Sequence, residues 1–304
     1  MRIEKNYFYA EDGLELFGLL HTSEDKNEKE VVIATHGMGS NCFKKRDDII
    51  AQNLTANNIS YFTYNNRGYG LVNEINRGKE KILQGTVFED VYESYLDIIA
   101  AIKLMISKGY TRIHLQGHSL GSTKTLYTYN KLVEDNNEEI LKYIGSVILL
   151  SLVDLSDVMK YVDECNRDVD VPRIAYEKEE EGQLDYIIET KTSFMPLVSA
   201  KTFLRYYRDN EKVDFAKYTT DEYSFEIINR IAVPLFMRWG NVNELINLSA
   251  DDLSALLMKK INNPSKDIGF IDGATHNYRG KEQILANEIL DFIKNKIPNI
   301  DNQI

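Results

Sequence analysis

Short apolar runs alternate with helical patterns along most of this chain, and this alternation restricts the possible folds more than any other feature. The run "VVIATHG" (31–37) is almost continuously apolar, as expected of a strand covered on both faces in a parallel sheet. Similar strand patterns lie at 59–68, 111–117 and 144–154, with helical patterns between them. Strict alternation requires parallel strands joined by right-handed crossovers. We therefore predict an α/β fold with a mostly parallel central sheet and helices on both faces.

The two ends of the chain add further elements to this sheet. The first 22 residues contain two β-rich runs around the turn signal Glu11-Asp12-Gly13, which predicts a hairpin. Near the carboxyl end, strand patterns at 231–240 and 267–276 alternate with helical patterns at 249–261 and 281–297. The alternation therefore resumes after an interruption.

The interruption covers residues 155–229, which are charged, rich in Tyr and Phe, and mostly helical by pattern without a clear strand. A segment of this kind is typical of an insertion above a sheet. We predict a core domain made of residues 1–154 and 230–304, and a helical cap, or lid, made of residues 155–229.

Charge and cysteine content exclude several classes of protein. The 304 residues include 36 Lys and Arg against 47 Asp and Glu, a net charge of −11, which disfavours binding to nucleic acid or anionic membranes. Cys42 and Cys165 lie far apart without a CxxC pattern, so we expect no disulfide framework and no cysteine zinc site. No apolar run is long enough for a signal peptide or a membrane span. We predict a soluble cytoplasmic protein without a metal, a cofactor or membrane insertion, and its oligomeric state stays open.

One serine stands out at a predicted corner between a strand and a helix. The stretch "GHSLG" (117–121) matches the pattern G-x-S-x-G, which is weak alone but informative between a strand and a helix. A sharp turn strains the backbone at Ser119, so its neighbours Gly117 and Gly121 must be small. The helix amino terminus favours negative charge that develops beside the serine. We predict that Ser119 is a nucleophile; the alternative is an ordinary turn.

A serine nucleophile needs a base, and His276 is the best candidate among five histidines. His276 follows the last predicted strand, in a loop that would overhang Ser119. His114 lies within a strand, His118 lies within the turn with its side chain expected to point away, and His21 belongs to the hairpin. The alternative is that His276 is simply a polar loop residue.

Acyl chemistry also needs hydrogen-bond donors for the oxyanion of the tetrahedral intermediate. The segment "THGMGSN" (35–41) follows a central strand, and Gly37 and Gly39 permit a tight loop there. We predict that the backbone N–H groups of Met38 and Leu120 form the oxyanion hole. The alternative is a glycine turn with no further role.

Together these features resemble the α/β-hydrolase superfamily, particularly lid-bearing serine esterases of the monoglyceride-lipase-like or feruloyl-esterase-like kind. The resemblance covers nearly the whole chain outside the predicted cap. The residues that carry it are His36 and Gly37, the turn "NNRGYG" at 65–70 with Asn66 near the usual Asp, the elbow at Ser119, and Gly273-Ala274-x-His276.

The resemblance implies a catalytic acid, usually an Asp in a G-x-x-D pattern after the strand that precedes the histidine strand. This chain has Asn243 at that position. Asn accepts a hydrogen bond but does not stabilise an imidazolium, and in a serine protease the Asp-to-Asn change lowers turnover by ~10⁴. The candidates are Glu244, the next residue; Asp154, after the strand that follows the elbow helix; and a site completed by Asn243.

The leading prediction is an enzyme that hydrolyses carboxylic esters with small acyl or aryl groups. A thioesterase, lactonase or acyltransferase would use the same serine, and a non-catalytic binding protein would keep the fold without the reaction.

The predicted cap contains residues that suggest a pocket wall or, alternatively, ordinary packing. Its Arg205 and Arg208 would either meet an anionic group or be solvated. Its apolar and aromatic candidates for the wall are Phe194, Met195, Phe203, Tyr206 and Tyr207.

Overall fold

The computed structural model describes residues 1–24, 28–220 and 222–297. The strands are β1 (Arg2–Tyr9), β2 (Glu15–Thr22), β3 (Glu30–Thr35), β4 (Ser60–Asn65), β5 (Asn73–Arg77), β6 (Glu80–Gln84), β7 (Arg112–His118), β8 (Ile144–Leu150), β9 (Ile187–Glu189), β10 (Leu197–Ser199), β11 (Leu235–Val242) and β12 (Lys266–Thr275). The helices are α1 (Lys45–Thr55), α2 (Ser94–Ser107), α3 (Leu120–Glu134), α4 (Glu138–Leu141), α5 (Leu155–Cys165), α6 (Val171–Glu180), α7 (Ala200–Tyr207), α8 (Glu226–Asn229), α9 (Ala250–Lys260) and α10 (Glu282–Lys296).

Eight of these strands form one sheet in the order β1-β2-β4-β3-β7-β8-β11-β12. The six strands from β4 to β12 in this order are parallel, and β1 and β2 form the predicted antiparallel hairpin at one edge. This arrangement confirms the predicted α/β class with a mostly parallel sheet. Its carboxyl edge is where the loops after β3, β7, β8, β11 and β12 converge.

Alternate residues of the central strands face two separate apolar cores. On β3, Val31 and Ile33 pack in one core while Val32 and Ala34 pack in the other. Helices α2, α3 and α9 contribute to the first core, and α1 and α10 to the second. Helices therefore cover both faces, which explains why the strand reads as a continuous apolar run.

The chain between β8 and β11 contains α5, α6, α7, α8 and the short pair β9–β10. Our expectation of no clear strand in this segment is therefore wrong, although each of these strands has only three residues. Up to Val213 the segment packs around a third apolar cluster, which includes Val162 and Phe203 and reaches Leu120 at the start of α3. Its later apolar residues, such as Phe215 and Ile228, belong to the first core. Among the helices in the described ranges, none is both long enough and apolar enough to span a bilayer.

Candidate active site

Ser119 lies at the sharp corner between β7 and α3. Its φ of 56° and ψ of −129° fall in a region that a residue with a side chain rarely adopts. The two flanking glycines make the corner possible, because a Cβ on Gly117 would overlap the carbonyl oxygen of Gly121, and a Cβ on Gly121 would overlap that of Thr35. The backbone therefore requires glycine at both positions and holds the serine in a strained turn.

Ser119 and His276 line the same cavity, which has a volume of about 160 Å³. Met38 and Leu120 also line it, so all four residues that the sequence assigns to the serine, the base and the oxyanion donors meet at one place. The remaining wall is mostly apolar and includes Val153, Leu155, Val158, Phe194 and Leu245.

Glu244 is the carboxylate that the structure brings to His276. Its Oε2 lies 2.6 Å from His276 Nδ1, and its Oε1 accepts hydrogen bonds from the Ser151 hydroxyl at 2.8 Å and the Gly240 N–H at 2.7 Å. The His276 and Glu244 side chains are only 16% and 9% exposed. The carboxylate is therefore held by three donors in a largely dry setting, where it can orient the ring and stabilise a positive charge on it.

The two other candidate acids lie in different roles. Asp154 caps α5, with its carboxylate accepting the N–H of Asp157 at 3.1 Å and that of Tyr218 at 2.8 Å. Asn243 is exposed and adopts a left-handed φ of 53°. Within the described residues, neither side chain forms a hydrogen bond or ion pair with His276.

The bond from His276 to Glu244 sets the form of the imidazole ring. Since the carboxylate accepts, Nδ1 carries the proton and Nε2 is left as the basic nitrogen. Within the described residues no hydrogen bond yet joins Ser119 Oγ to this ring. Such bonds are often long in a free enzyme and close only when substrate binds.

Two backbone amides complete the cavity. In the described chain, neither the Met38 N–H nor the Leu120 N–H donates a hydrogen bond to another protein group. The loop after β3 packs directly on the elbow, because a Cβ on Gly37 would lie 2.8 Å from the His118 carbonyl oxygen and 3.0 Å from Ser119 Cβ. Two unpaired donors therefore border the serine, as an oxyanion hole requires.

His118 does not point away from the site as expected. Its ring centroid lies 5.1 Å from that of His276, and its Nε2 lies 2.7 Å from the His276 carbonyl oxygen. Burial holds the pKa of His118 well below its usual range, so the neutral ring donates to this carbonyl. No pattern in the sequence marks this orientation of the His118 ring.

Ser151 is a second residue that sequence reasoning missed. It follows β8 with a left-handed φ of 46°, which turns its hydroxyl towards Glu244 and places it 3.0 Å from the Tyr278 hydroxyl. Tyr278 in turn donates to the Arg238 carbonyl oxygen at 2.6 Å. No motif in the sequence marks these residues. Ser151 holds the Glu244 carboxylate directly, and Tyr278 contacts the Ser151 hydroxyl.

The predicted cap residues separate into wall and interior. Of the five apolar and aromatic candidates, Phe194 lines the cavity, while Met195, Phe203 and Tyr206 are buried in the third apolar cluster and Tyr207 packs on its edge. Arg205 binds Asp90 with two hydrogen bonds, at 2.9 and 2.8 Å. Arg208 pairs with Glu179 and Asp209. The packing interpretation therefore applies to most of these side chains.

No model of a known protein family matches this sequence, and no curated protein sequence matches it significantly. Solved structures do match. A soluble variant of monoglyceride lipase from Saccharomyces cerevisiae, in complex with a substrate analogue, aligns with a TM-score of 0.67 and 15% identity over 98% of this chain and 97% of that chain. Est1E from Butyrivibrio proteoclasticus, with ferulic acid bound, aligns with a TM-score of 0.63 and 14% identity over 95% of this chain and 98% of that chain.

A third match is alpha/beta hydrolase domain-containing protein 10 from mouse, with a TM-score of 0.59 and 13% identity over 96% of this chain and 98% of that chain. The matches extend over nearly the full length of both chains in each case. At identities this low they establish the fold and leave the chemistry to be argued from the site itself.

Proposed function

We propose that this chain, which has the α/β-hydrolase fold, is a serine hydrolase that cleaves carboxylic esters through an acyl-enzyme intermediate. The observation that carries the proposal is the 2.6 Å contact between Glu244 Oε2 and His276 Nδ1, beside a strained Ser119 in the same cavity. A nucleophile, an oriented base and two free amides are the parts that acyl transfer needs.

The reaction follows from the proton positions. Ser119 Oγ attacks the ester carbonyl carbon while His276 Nε2 takes the hydroxyl proton, and Glu244 stabilises the imidazolium. The Met38 and Leu120 N–H groups bind the oxyanion of the tetrahedral intermediate. When that intermediate collapses, the bond to the leaving alcohol breaks and His276 returns the proton to it. Water then attacks the acyl-enzyme by the same steps and releases the acid.

The cavity wall favours a small, uncharged acyl or aryl group. The cavity has a volume of about 160 Å³. An apolar cavity of ~150 Å³ in another protein holds one benzene molecule. Apart from the two histidines, His118 and His276, no ionisable side chain of the described residues lines the cavity. A carboxylate on the acyl chain would lose its hydration there without gaining a Lys or Arg partner from the described lining.

The rival functions differ in their support. A thioesterase, lactonase or acyltransferase would use the same intermediate, so the site geometry is compatible with each of them. The non-catalytic alternative depended on Asn243 in place of an acid, and it has less support because Glu244 contacts His276. We also propose that residues 155–229 act as the cap over a core of residues 1–154 and 230–304, since Phe194 from this segment reaches the cavity.

The decisive experiment compares Ser119→Ala with Ser122→Ala, a buried serine on the same helix that donates to the Leu150 carbonyl at 2.9 Å. We expect the native protein and Ser122→Ala to react with a fluorophosphonate probe and to hydrolyse p-nitrophenyl butyrate. Ser119→Ala should not label and should lose at least about 10³-fold in kcat. Undiminished turnover by Ser119→Ala would overturn the proposal. Parallel assays with a butyryl thioester and a butyrolactone separate the related reactions.

A further inference from the structure

A fully buried ion pair joins Lys124 of α3 to Glu89 in the loop before α2. The Lys124 Nζ contacts Glu89 Oε1, and both side chains are 0% exposed. Neither residue lines the cavity, and the proposed reaction uses neither. The pair therefore needs an explanation outside the catalytic groups.

Stability alone does not account for this pair. Desolvating two charges costs several kcal/mol per ion, and replacing such a pair by well-packed apolar side chains is often neutral or stabilising. The contacts that the pair makes are then the place to look for its role.

On one side, Lys124 fixes the orientation of the Asn66 amide. The Lys124 Nζ donates to Asn66 Oδ1 at 3.2 Å, and the Gly68 N–H donates to the same oxygen at 3.0 Å. With Oδ1 occupied by two donors, Nδ2 must face the other way, where it donates to the His36 carbonyl oxygen at 3.2 Å. The ammonium and the Gly68 N–H thus together determine how Asn66 holds the loop after β3.

Asn66 then fixes the ring of His36. The Asn66 N–H donates to His36 Nε2 at 3.2 Å, so the ring proton is on Nδ1, which lies 2.9 Å from the Gly37 carbonyl oxygen. Burial, assisted by the nearby Lys124 charge, lowers the pKa of His36 to about 3 and keeps the ring neutral.

The Gly37 carbonyl belongs to the peptide unit that carries the Met38 N–H. The described chain has no cis peptide bond, so the N–H of this unit points opposite to its carbonyl. The His36 ring holds the Gly37 oxygen together with the Ser40 N–H, which donates to it at 3.3 Å. These two bonds set the direction of the Met38 N–H, one of the two proposed oxyanion donors.

On its other side, the pair contacts α7 of the segment between β8 and β11. The Thr202 hydroxyl donates to the Glu89 carbonyl oxygen at 3.0 Å, and the Tyr206 hydroxyl lies 3.5 Å from Glu89 Oε2. Gly68 makes room for this arrangement, because a Cβ there would overlap the Glu89 carboxylate. The Lys124–Glu89 pair thus contacts α7 on one side and Asn66, which holds the loop after β3, on the other.

We propose that Lys124 and Glu89 are positioning residues that hold the Met38 N–H in its oxyanion-binding direction through Asn66 and His36, with α7 packed on the same pair. This inference depends on the proposed function, since it assigns the pair to the stabilisation of that reaction's intermediate. It predicts an effect on the transition state and little effect on the binding of the ester itself.

The test uses the double variant Lys124→Met/Glu89→Gln, which removes both charges, beside the single Lys124→Met. The single variant leaves an unpaired buried carboxylate and is expected to be the less stable of the two. The matched control is Arg112→Met, which breaks the Arg112–Glu30 pair at the opposite end of β7, where the contact is 2.6 Å.

We expect the folded double variant to lose about tenfold in kcat for p-nitrophenyl butyrate, a part of the ~10²–10³ that removing an oxyanion donor costs, with KM nearly unchanged. Its affinity for a trifluoromethyl ketone, which forms an oxyanion on Ser119, should fall by the same factor. Arg112→Met should keep native values for both. A purely structural role would lower thermal stability and leave both readouts unchanged.

A folded double variant with native kcat and native ketone affinity would overturn this inference and leave the proposed function intact. A native protein that neither labels with fluorophosphonate nor hydrolyses any of the esters would overturn both.

Discussion

Glu244 Oε2 lies 2.6 Å from His276 Nδ1, although Glu244 stands one residue beyond the position where the resemblance places an acid. The local backbone explains the shift. Asn243 takes a left-handed φ of 53°, a conformation that Asn tolerates better than most residues. This turn brings the Glu244 side chain back to the Gly240 N–H, beside the histidine.

We predict that Glu244→Gln lowers kcat for p-nitrophenyl butyrate by about 10²–10⁴ at neutral pH while KM changes little. The amide keeps the size of the side chain and its ability to accept a hydrogen bond, but it no longer stabilises the imidazolium. Steady-state kinetics on the purified variant, with folding checked by circular dichroism, measures the effect.

The matched control for this variant is Asn243→Gly, because glycine adopts the left-handed conformation without strain. We expect this variant to keep native kcat. If Glu244→Gln kept native activity, then Glu244 would not be the acid. Loss of activity in Asn243→Gly would instead show that the Asn243 side chain is needed beyond its backbone angle.

The cavity wall predicts how acyl preference can be changed. Val158 of α5 lines the cavity, and Val158→Ala should raise kcat/KM for p-nitrophenyl hexanoate relative to acetate by about tenfold, within the range that a methylene in a pocket is worth. Val162, one turn further along α5, is fully buried in the third apolar cluster and does not line the cavity.

Val162→Ala therefore serves as the control for the selectivity change. It should lower the free energy of unfolding by ~1.5 kcal/mol, about two methylene groups, with the hexanoate-to-acetate ratio unchanged. Equal shifts of this ratio in both variants would show that the cavity wall does not select the acyl group.

Asp154 makes stability depend on pH in a defined direction. Burial raises the pKa of Asp154 from 3.8 to about 6, so the folded protein holds this proton more tightly than the unfolded chain. Its contribution to stability is complete below about pH 3.8, the unfolded value, and is lost as the pH rises through about 6.

We predict that at pH 4 the free energy of unfolding of Asp154→Asn is lower than that of the native protein by roughly 1 kcal/mol. The reason is that an amide has one acceptor oxygen, which satisfies only one of the Asp157 and Tyr218 N–H donors. This difference should narrow between pH 4 and 7. Thermal unfolding followed by circular dichroism at several pH values measures it. A gap that stays constant or widens with rising pH would contradict the raised pKa.

The central strands of the main sheet, such as β3, β4, β7 and β8, were predictable because they are buried on both faces. The hairpin β5–β6 was not predicted, since its residues are mainly polar and Leu83, one of two large apolar residues on β6, is 53% exposed. The three-residue strands β9 and β10 are too short to produce a periodic pattern. Burial, more than β-propensity, is what makes a strand visible in a sequence.

The residues of the candidate site likewise fall into a group that the sequence predicts and a group that it does not. Ser119, His276 and the two amides were assigned because glycines and strand ends mark their positions. The choice among Glu244, Asp154 and Asn243 depended on the backbone angle of one residue, which no pattern encodes. His118 contacts His276, and Ser151 contacts Glu244. Both contacts join parts of the chain that are distant in sequence, so no local pattern predicts them.

The strands β8 and β11 are direct neighbours in the sheet, paired from Val147 and Leu235 onwards. The segment between them therefore leaves the sheet at the carboxyl end of β8 and rejoins it at the amino end of its parallel neighbour β11. The distance between Ser119 and His276 is set by the side-by-side strands β7, β8, β11 and β12. Replacing that segment with another of different size would leave the spacing of the reacting groups to the sheet alone. The sheet thus sets the distance between serine and histidine, while this segment shapes the acyl pocket through Val158 and Phe194 and meets the Lys124–Glu89 pair through α7.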